Sequence, residues 1–303
     1  MSYKNNNAFP LAWYDEPAQQ NHRKRYAFGQ VWPLIAQNKR LPTFQYKRDT
    51  SLGEDLSVFI LKNIATGVEV DILPQIVAAG LEIASYNPVD GSPAYDLIKY
   101  PGLLPIDITT PEGMYEARMG WAYDTGQAMT KYSERFCIRY DTLDLIQVSW
   151  WHDQPFRLNL ANGHISYADP YYNFMFFEGE IQRPEYPLEE EAINRDGYKF
   201  PIYQVSKKTF RIPTLLCPEY ITDALRLIEL HHHVIIEQYG VIYEVDDIKI
   251  TFGKWLDQGN LCPVSIEFHT DTVVQTAGIV TPSNEGGDYD QTDYDESHYI
   301  GFP

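Results

Sequence analysis

Segment 218–270 changes its hydrophobic period once, and that change constrains the fold more than any other feature of the chain. Pro218 suits the opening of a helix, where it has no amide hydrogen to lose. Ile221, Ala224, Leu225 and Ile228 then follow the i, i+3, i+4, i+7 rule and form one apolar stripe. Asp223, Arg226 and Glu229 lie three apart as a charged ladder on the solvent side. After His231 the period drops from about 3.6 to about 2. Gly240 separates runs at 233–238 and 241–245. Ile248, Ile250 and Phe252, then Val264, Ile266 and Phe268, alternate with polar neighbours. The spacing predicts one helix over 218–230 packed on an antiparallel meander.

The segment 41–142 carries short strand signals. Leu56, Val58 and Ile60 alternate with Ser57, Phe59 and Leu61. Val68, Val70 and Ile72 alternate with Glu69 and Asp71, the pattern of a half-buried strand, and Ala65-Thr66-Gly67 between them is a turn. Runs at 114–123 and 131–140 flank Asp124-Thr125-Gly126 and predict a hairpin. The run from Ile106 to Tyr115 resembles the corner of an immunoglobulin-like sandwich, where a tyrosine hydroxyl bonds back to upstream backbone; an ordinary core tyrosine is the alternative. Beyond it, Ile146, Val148 and Trp150 alternate with Gln147 and Ser149. The stretch 151–203 is loop-rich and aromatic. The expected organisation is mainly β: an extended basic arm (1–40), an immunoglobulin-like sandwich (41–142), a β-rich α+β domain with one amphipathic helix (143–280), and an acidic tail (281–303).

Composition narrows the partners. Hydrophobic residues make up 44% of the chain, so most of it should fold. The net charge of −18 argues against nucleic acid as the main partner, because phosphate binding needs a basic surface. Residues 1–48 nevertheless carry +6 and the remainder −24, a basic arm on an acidic body. Cys137, Cys217 and Cys262 form no C-x-x-C pair, so neither a disulfide framework nor a zinc finger is supported. Without a signal-type or membrane-length apolar run, the chain is expected to be made and folded in a reducing cytoplasm, with no membrane insertion.

No reactive constellation stands out. His231-His232-His233 are adjacent at a helix-to-strand junction, so one metal cannot easily take all three. A helix C-terminus favouring a partly positive imidazole is the simpler explanation. Asp288, Asp290, Asp293 and Asp295 miss the calcium-loop pattern, since Asp293 and Tyr299 occupy the positions that need Gly and Glu. Glu189, Glu190 and Glu191 are consecutive and cannot flank one glycosidic bond; a solvated loop or first helical turn is expected there. Trp150-Trp151 with His152 and Asp153 is a candidate sugar-stacking patch, although strand geometry sends the two tryptophans to opposite sides. G-x-S-x-G, P-loop and Rossmann patterns are missing. No cofactor is expected.

Tyr100-Pro101-Gly102, Gly113-Met114-Tyr115, Tyr132-Ser133-Glu134, the run from Ile146 to Trp151 and the string from Pro218 to Trp255 together resemble structural proteins of tailed phages and prophages of Bacteroidetes-type bacteria. The resemblance spans roughly 95–280. It implies a non-enzymatic virion component of the tail, connector or baseplate, assembling as a ring with its own copies and other virion proteins. It carries over no catalytic residue. The expected interface anchors are Trp13, Arg23, Lys24, Arg25 and Trp32 of the arm, and Tyr171, Tyr172, Phe174, Phe176 and Phe177 of the aromatic loops. A carbohydrate- or receptor-binding module, with a host-surface glycan as partner, is the alternative. A hydrolase with a dispersed site is a third reading.

Overall fold

The structure, a computed structural model, describes residues 10–14, 34–36, 40–49, 56–86, 95–102, 104–107, 110–122, 128–152, 156–160, 163–167, 172–195, 197–256 and 261–276. The protein is mainly β: nineteen strands and two short α-helices among the described residues. None of these helices is long and apolar enough to cross a membrane. Two compact units are present, Met1–Pro187 with Lys207–Thr272, and Leu188–Ser206 with Val273–Pro303.

The first unit opens with β1 (Trp13–Tyr14), β2 (Leu34–Ala36), β3 (Phe44–Asp49), β4 (Leu56–Asn63), β5 (Glu69–Asp71), α1 (Leu73–Ala78), β6 (Glu82–Tyr86), β7 (Tyr95–Tyr100), β8 (Gly113–Ala122) and β9 (Ala128–Ile138). One sheet has the order β1-β9-β8-β4-β5, with β2 added parallel to β9; a second has the order β3-β7-β6. Rings from both sheets meet in a sandwich-like core. Trp13 stands edge-on to Phe44 at 5.0 Å and to Phe59 at 5.7 Å, and Tyr100 lies 5.8 Å from Phe44. All four rings are buried.

Local chemistry fixes these strands. In β4 a register shift between Leu56 and Val58 inverts the alternation, so Leu56, Phe59 and Leu61 are buried while Val58 and Ile60 are half-exposed. The following turn is held by Asn63, whose Oδ1 accepts the Ala65 and Thr66 amides. The half-buried strand expected at 68–72 needs correction. Val68 and Val70 are exposed, because β5 is a short edge strand; only Ile72 turns inward. There the Asp71 carboxylate accepts the Phe59 and Leu73 amides and starts α1, a helix the sequence reading did not anticipate. The hairpin expected around Asp124 forms as β8 and β9, and the intervening 123–127 lie outside the described residues. Tyr115 is buried and its hydroxyl donates to the Pro111 carbonyl at 2.8 Å, the corner bond anticipated from sequence. Alongside it, the Tyr140 hydroxyl donates to the Thr110 carbonyl.

The unit continues with β10 (Ile146–Trp151), β11 (Phe156–Leu160), β12 (Gly163–Tyr167) and β13 (Tyr172–Phe177). Then follow β14 (Leu188–Arg195), β15 (Tyr198–Pro218), α2 (Glu219–Leu225), β16 (His233–Gln238), β17 (Val241–Glu244), β18 (Asp247–Phe252) and β19 (Leu261–Thr276), of which β14 and parts of β15 and β19 belong to the second unit. Strands β13-β10-β16-β17 make one sheet. Ile146, Val148 and Trp150 are buried as their alternation requires. Tyr239 and Gly240, both at positive φ, close the two-residue β16–β17 turn. The helix is shorter than 218–230. Pro218 caps it and accepts the Thr222 hydroxyl, and after Leu225 the chain tightens into a 3-10 turn, Ile228–Leu230. Ile221, Ala224, Leu225 and Ile228 are all buried, as the stripe predicts. One buried cluster runs from Leu11 to Phe268, so a domain boundary at residue 142 falls inside this unit.

The second unit contains a hairpin where a loop was expected. Strand β14 pairs antiparallel with the first part of β15, Arg195 opposite Tyr198 and Leu188 opposite Ser206. Gly197, at φ +83°, sits in the two-residue connection. The consecutive glutamates lie on this strand, not in a loop or helical turn.

Candidate functional site

Three places gather polar or exposed aromatic side chains. The first is a cleft on the open face of the six-stranded sheet. Cross-strand register sets Glu69, Lys62, Glu116 and Arg135 in one row across β5, β4, β8 and β9. Arg118 and Tyr132 face each other in a neighbouring row. A bulge between Glu116 and Arg118 separates the two rows: the Ala117 amide, outside the β8–β9 register, donates to the Ser133 hydroxyl at 2.8 Å, which donates on to the Glu134 carbonyl. Ser133 belongs to one of the sequence strings noted above, and its work is structural. Lys62 and Arg118 both reach Glu69, at 3.6 and 3.3 Å. Glu116 is buried. A cavity of about 210 Å³ opens between these groups, floored by Ile60 and Ile64.

The second place is the histidine cluster. His231 is buried, its Nδ1 donates to the Leu227 carbonyl at 2.8 Å, and its ring lies 4.7 Å from His152, which in turn meets His232 at 4.3 Å. Burial, with His152 and His232 close by, pushes the His231 pKa down to about 4, while the Leu227 bond opposes the shift. The partly positive imidazole expected at this helix end is therefore corrected: desolvation outweighs the helix terminus. His233 points elsewhere and stacks on Trp151 at 5.2 Å. Across β10 the other neighbour of Trp151 is Tyr172, at 5.3 Å, with Arg40 over the Tyr172 ring at 5.9 Å. Trp151 is half-buried between these two rings, and Trp150 is buried. Asp153, the remaining member of the candidate sugar-stacking patch, lies outside the described residues. No three His, Cys, Asp or Glu side chains among the described residues are set to hold a metal.

The third place is the hairpin. In the register of this hairpin Glu191 stands opposite Tyr203 and residue 195 opposite Tyr198, with an irregularity between Glu191 and Ala192. Ile193 is 55% exposed, Tyr198 71% and Tyr203 39%. Lys199 reaches back to Glu190 at 2.7 Å. Strand β14 is the last in its sheet, so its outer edge has no partner strand among the described residues.

The expected interface anchors fare differently. Trp13 is buried in its own core and registers opposite Ser133 on β9. Phe174 and Phe176 bury against Leu145, and Phe177 joins the main cluster. The aromatic loop is therefore strand β13, and these rings are already spent on this chain. Tyr172 stays half-buried, beside Trp151. Arg23, Lys24, Arg25, Trp32 and Tyr171 lie outside the described residues. Sequence reasoning missed Ile193, Tyr198 and Tyr203. The available signal was Asp196-Gly197, a short-range hairpin dipeptide. The charged row carried no such signal, since it exists only across strands.

Compared with known proteins, the chain matches no family model and has no significant match among curated sequences.

Proposed function

We propose that the chain is a non-enzymatic structural component of a virion, in the tail, connector or baseplate, assembling with its own copies into a ring or larger complex. One observation carries the assembly. The β14–β15 hairpin, whose β14 is an edge strand, turns Ile193, Tyr198 and Tyr203 to solvent. Such a face gains most by covering itself with a neighbour. Glu189, Glu190 and Glu191 on the open edge discourage indiscriminate strand pairing, which favours a defined partner. A contact of this kind, repeated by a fixed rotation, closes a ring.

The virion setting rests on the resemblance carried by residues 95–280. The immunoglobulin-like character of the sandwich is supported by the Tyr115 corner bond. In this reading Arg23, Lys24 and Arg25 supply a basic arm that clasps the acidic body of the next copy. Protein mass spectrometry on purified particles from a producing host tests the setting. The chain is expected in many copies per particle; particles that lack it overturn the reading.

A further inference from the structure

We propose that the cleft on the open face of the six-stranded sheet binds one compact oxyanion, a carboxylate or a phosphate, held by Lys62, Arg118 and Arg135. The inference stands apart from the assembly reading, since it concerns a different surface and a different chemistry.

The cleft is positive where the protein is not. Lys62, Arg118 and Arg135 outnumber Glu69 and Glu116, leaving one cation in excess within a chain of net charge −18. Glu69 already serves both Lys62 and Arg118. Arg135 Nε is buried and has no hydrogen-bond partner among the described residues. A buried donor left in that state costs stability, and an acceptor oxygen entering the cavity removes the cost. Guanidinium forks match the planar oxygens of carboxylates and the tetrahedral oxygens of phosphates, and Tyr132 lines the same cavity with a neutral donor. The chain's overall negative charge disfavours a long polyanion, so the fitting ligand is small, or a single anionic group. The backbone bulge between Glu116 and Arg118, held by Ser133, lies beside two of the cavity's lining residues.

Titration calorimetry on the full chain tests this, with inorganic phosphate in one arm and acetate in the other. Saturable binding in at least one arm, weakening as salt rises, is expected, and the tighter arm identifies the source of the oxyanion. Arg135→Gln should weaken it about tenfold, as expected for one lost charge-assisted hydrogen bond. Glu69→Gln frees Lys62 and Arg118 and should tighten it several-fold, a change in the opposite direction that misfolding cannot mimic. Lys199→Gln, on the hairpin, should change nothing. Absence of saturable binding in both arms below about 10 mM, a range that already corresponds to only a few kcal/mol, overturns the proposal. So does binding indifferent to both Arg135→Gln and Glu69→Gln.

Discussion

The sandwich-like unit buries its rings against one another, whereas the hairpin unit turns its rings to solvent. Trp13, Phe44, Phe59 and Tyr100 come from strands far apart in sequence and close one core. Ile193, Tyr198 and Tyr203 come from one local hairpin and close nothing. The same residue types therefore do different work. In the first unit their burial supplies stability to a single chain. In the second, on the proposed reading, their exposure is a gain that association would release. Substitutions should separate the two: core changes act on folding, hairpin changes on assembly.

The largest effect is expected in the core. Phe59→Ala should cost about 3–5 kcal/mol in urea unfolding, from lost transfer energy and a residual cavity. Acid comes next. The fold lowers the His231 pKa to about 4, so the unfolded chain takes up the proton first as pH falls. Stability is full above the ordinary histidine value of about 6.5 and drains away toward pH 4, by on the order of 2 kcal/mol. Comparing unfolding midpoints of the native chain and His231→Gln across that window isolates the contribution; parallel curves would exclude it. Ser133→Ala should then cost about 1–3 kcal/mol, because the buried Ala117 amide loses its acceptor. Tyr115→Phe removes one corner bond and should cost about 1 kcal/mol. Smallest of all, Ile193→Ser combined with Tyr198→Ser should leave monomer stability within about 0.5 kcal/mol, since both positions are exposed.

Elements that announce themselves locally were legible. The stripe of Ile221, Ala224, Leu225 and Ile228, the alternation in β10 and β19, and the β8–β9 hairpin follow from period alone. The Tyr115 corner was legible because its partner lies only four residues upstream. Features made by neighbours were not. The bulge in β4 inverted an alternation that looked regular, and Val70 was exposed because its strand has one neighbour rather than two. Glutamates are poor strand formers, so Glu189 to Glu191 hid β14, and the burial of Phe174 and Phe176 depended on Leu145 across the fold. His231 looked cationic from its place on a helix end, while its protonation is governed by burial that the sequence does not display. The charged cleft is invisible in one dimension, since Lys62, Glu116 and Arg135 meet only through strand register.

The contrast between the two units rests on whether the hairpin face is completed by another copy. Native mass spectrometry of the full chain over rising concentration, beside the Ile193→Ser, Tyr198→Ser double variant, measures this directly. The native chain should move from 35.0 kDa to a defined multiple of that mass, and the folded variant should remain at 35.0 kDa. A native chain that stays monomeric at every concentration, or a variant that assembles equally well, would contradict the account.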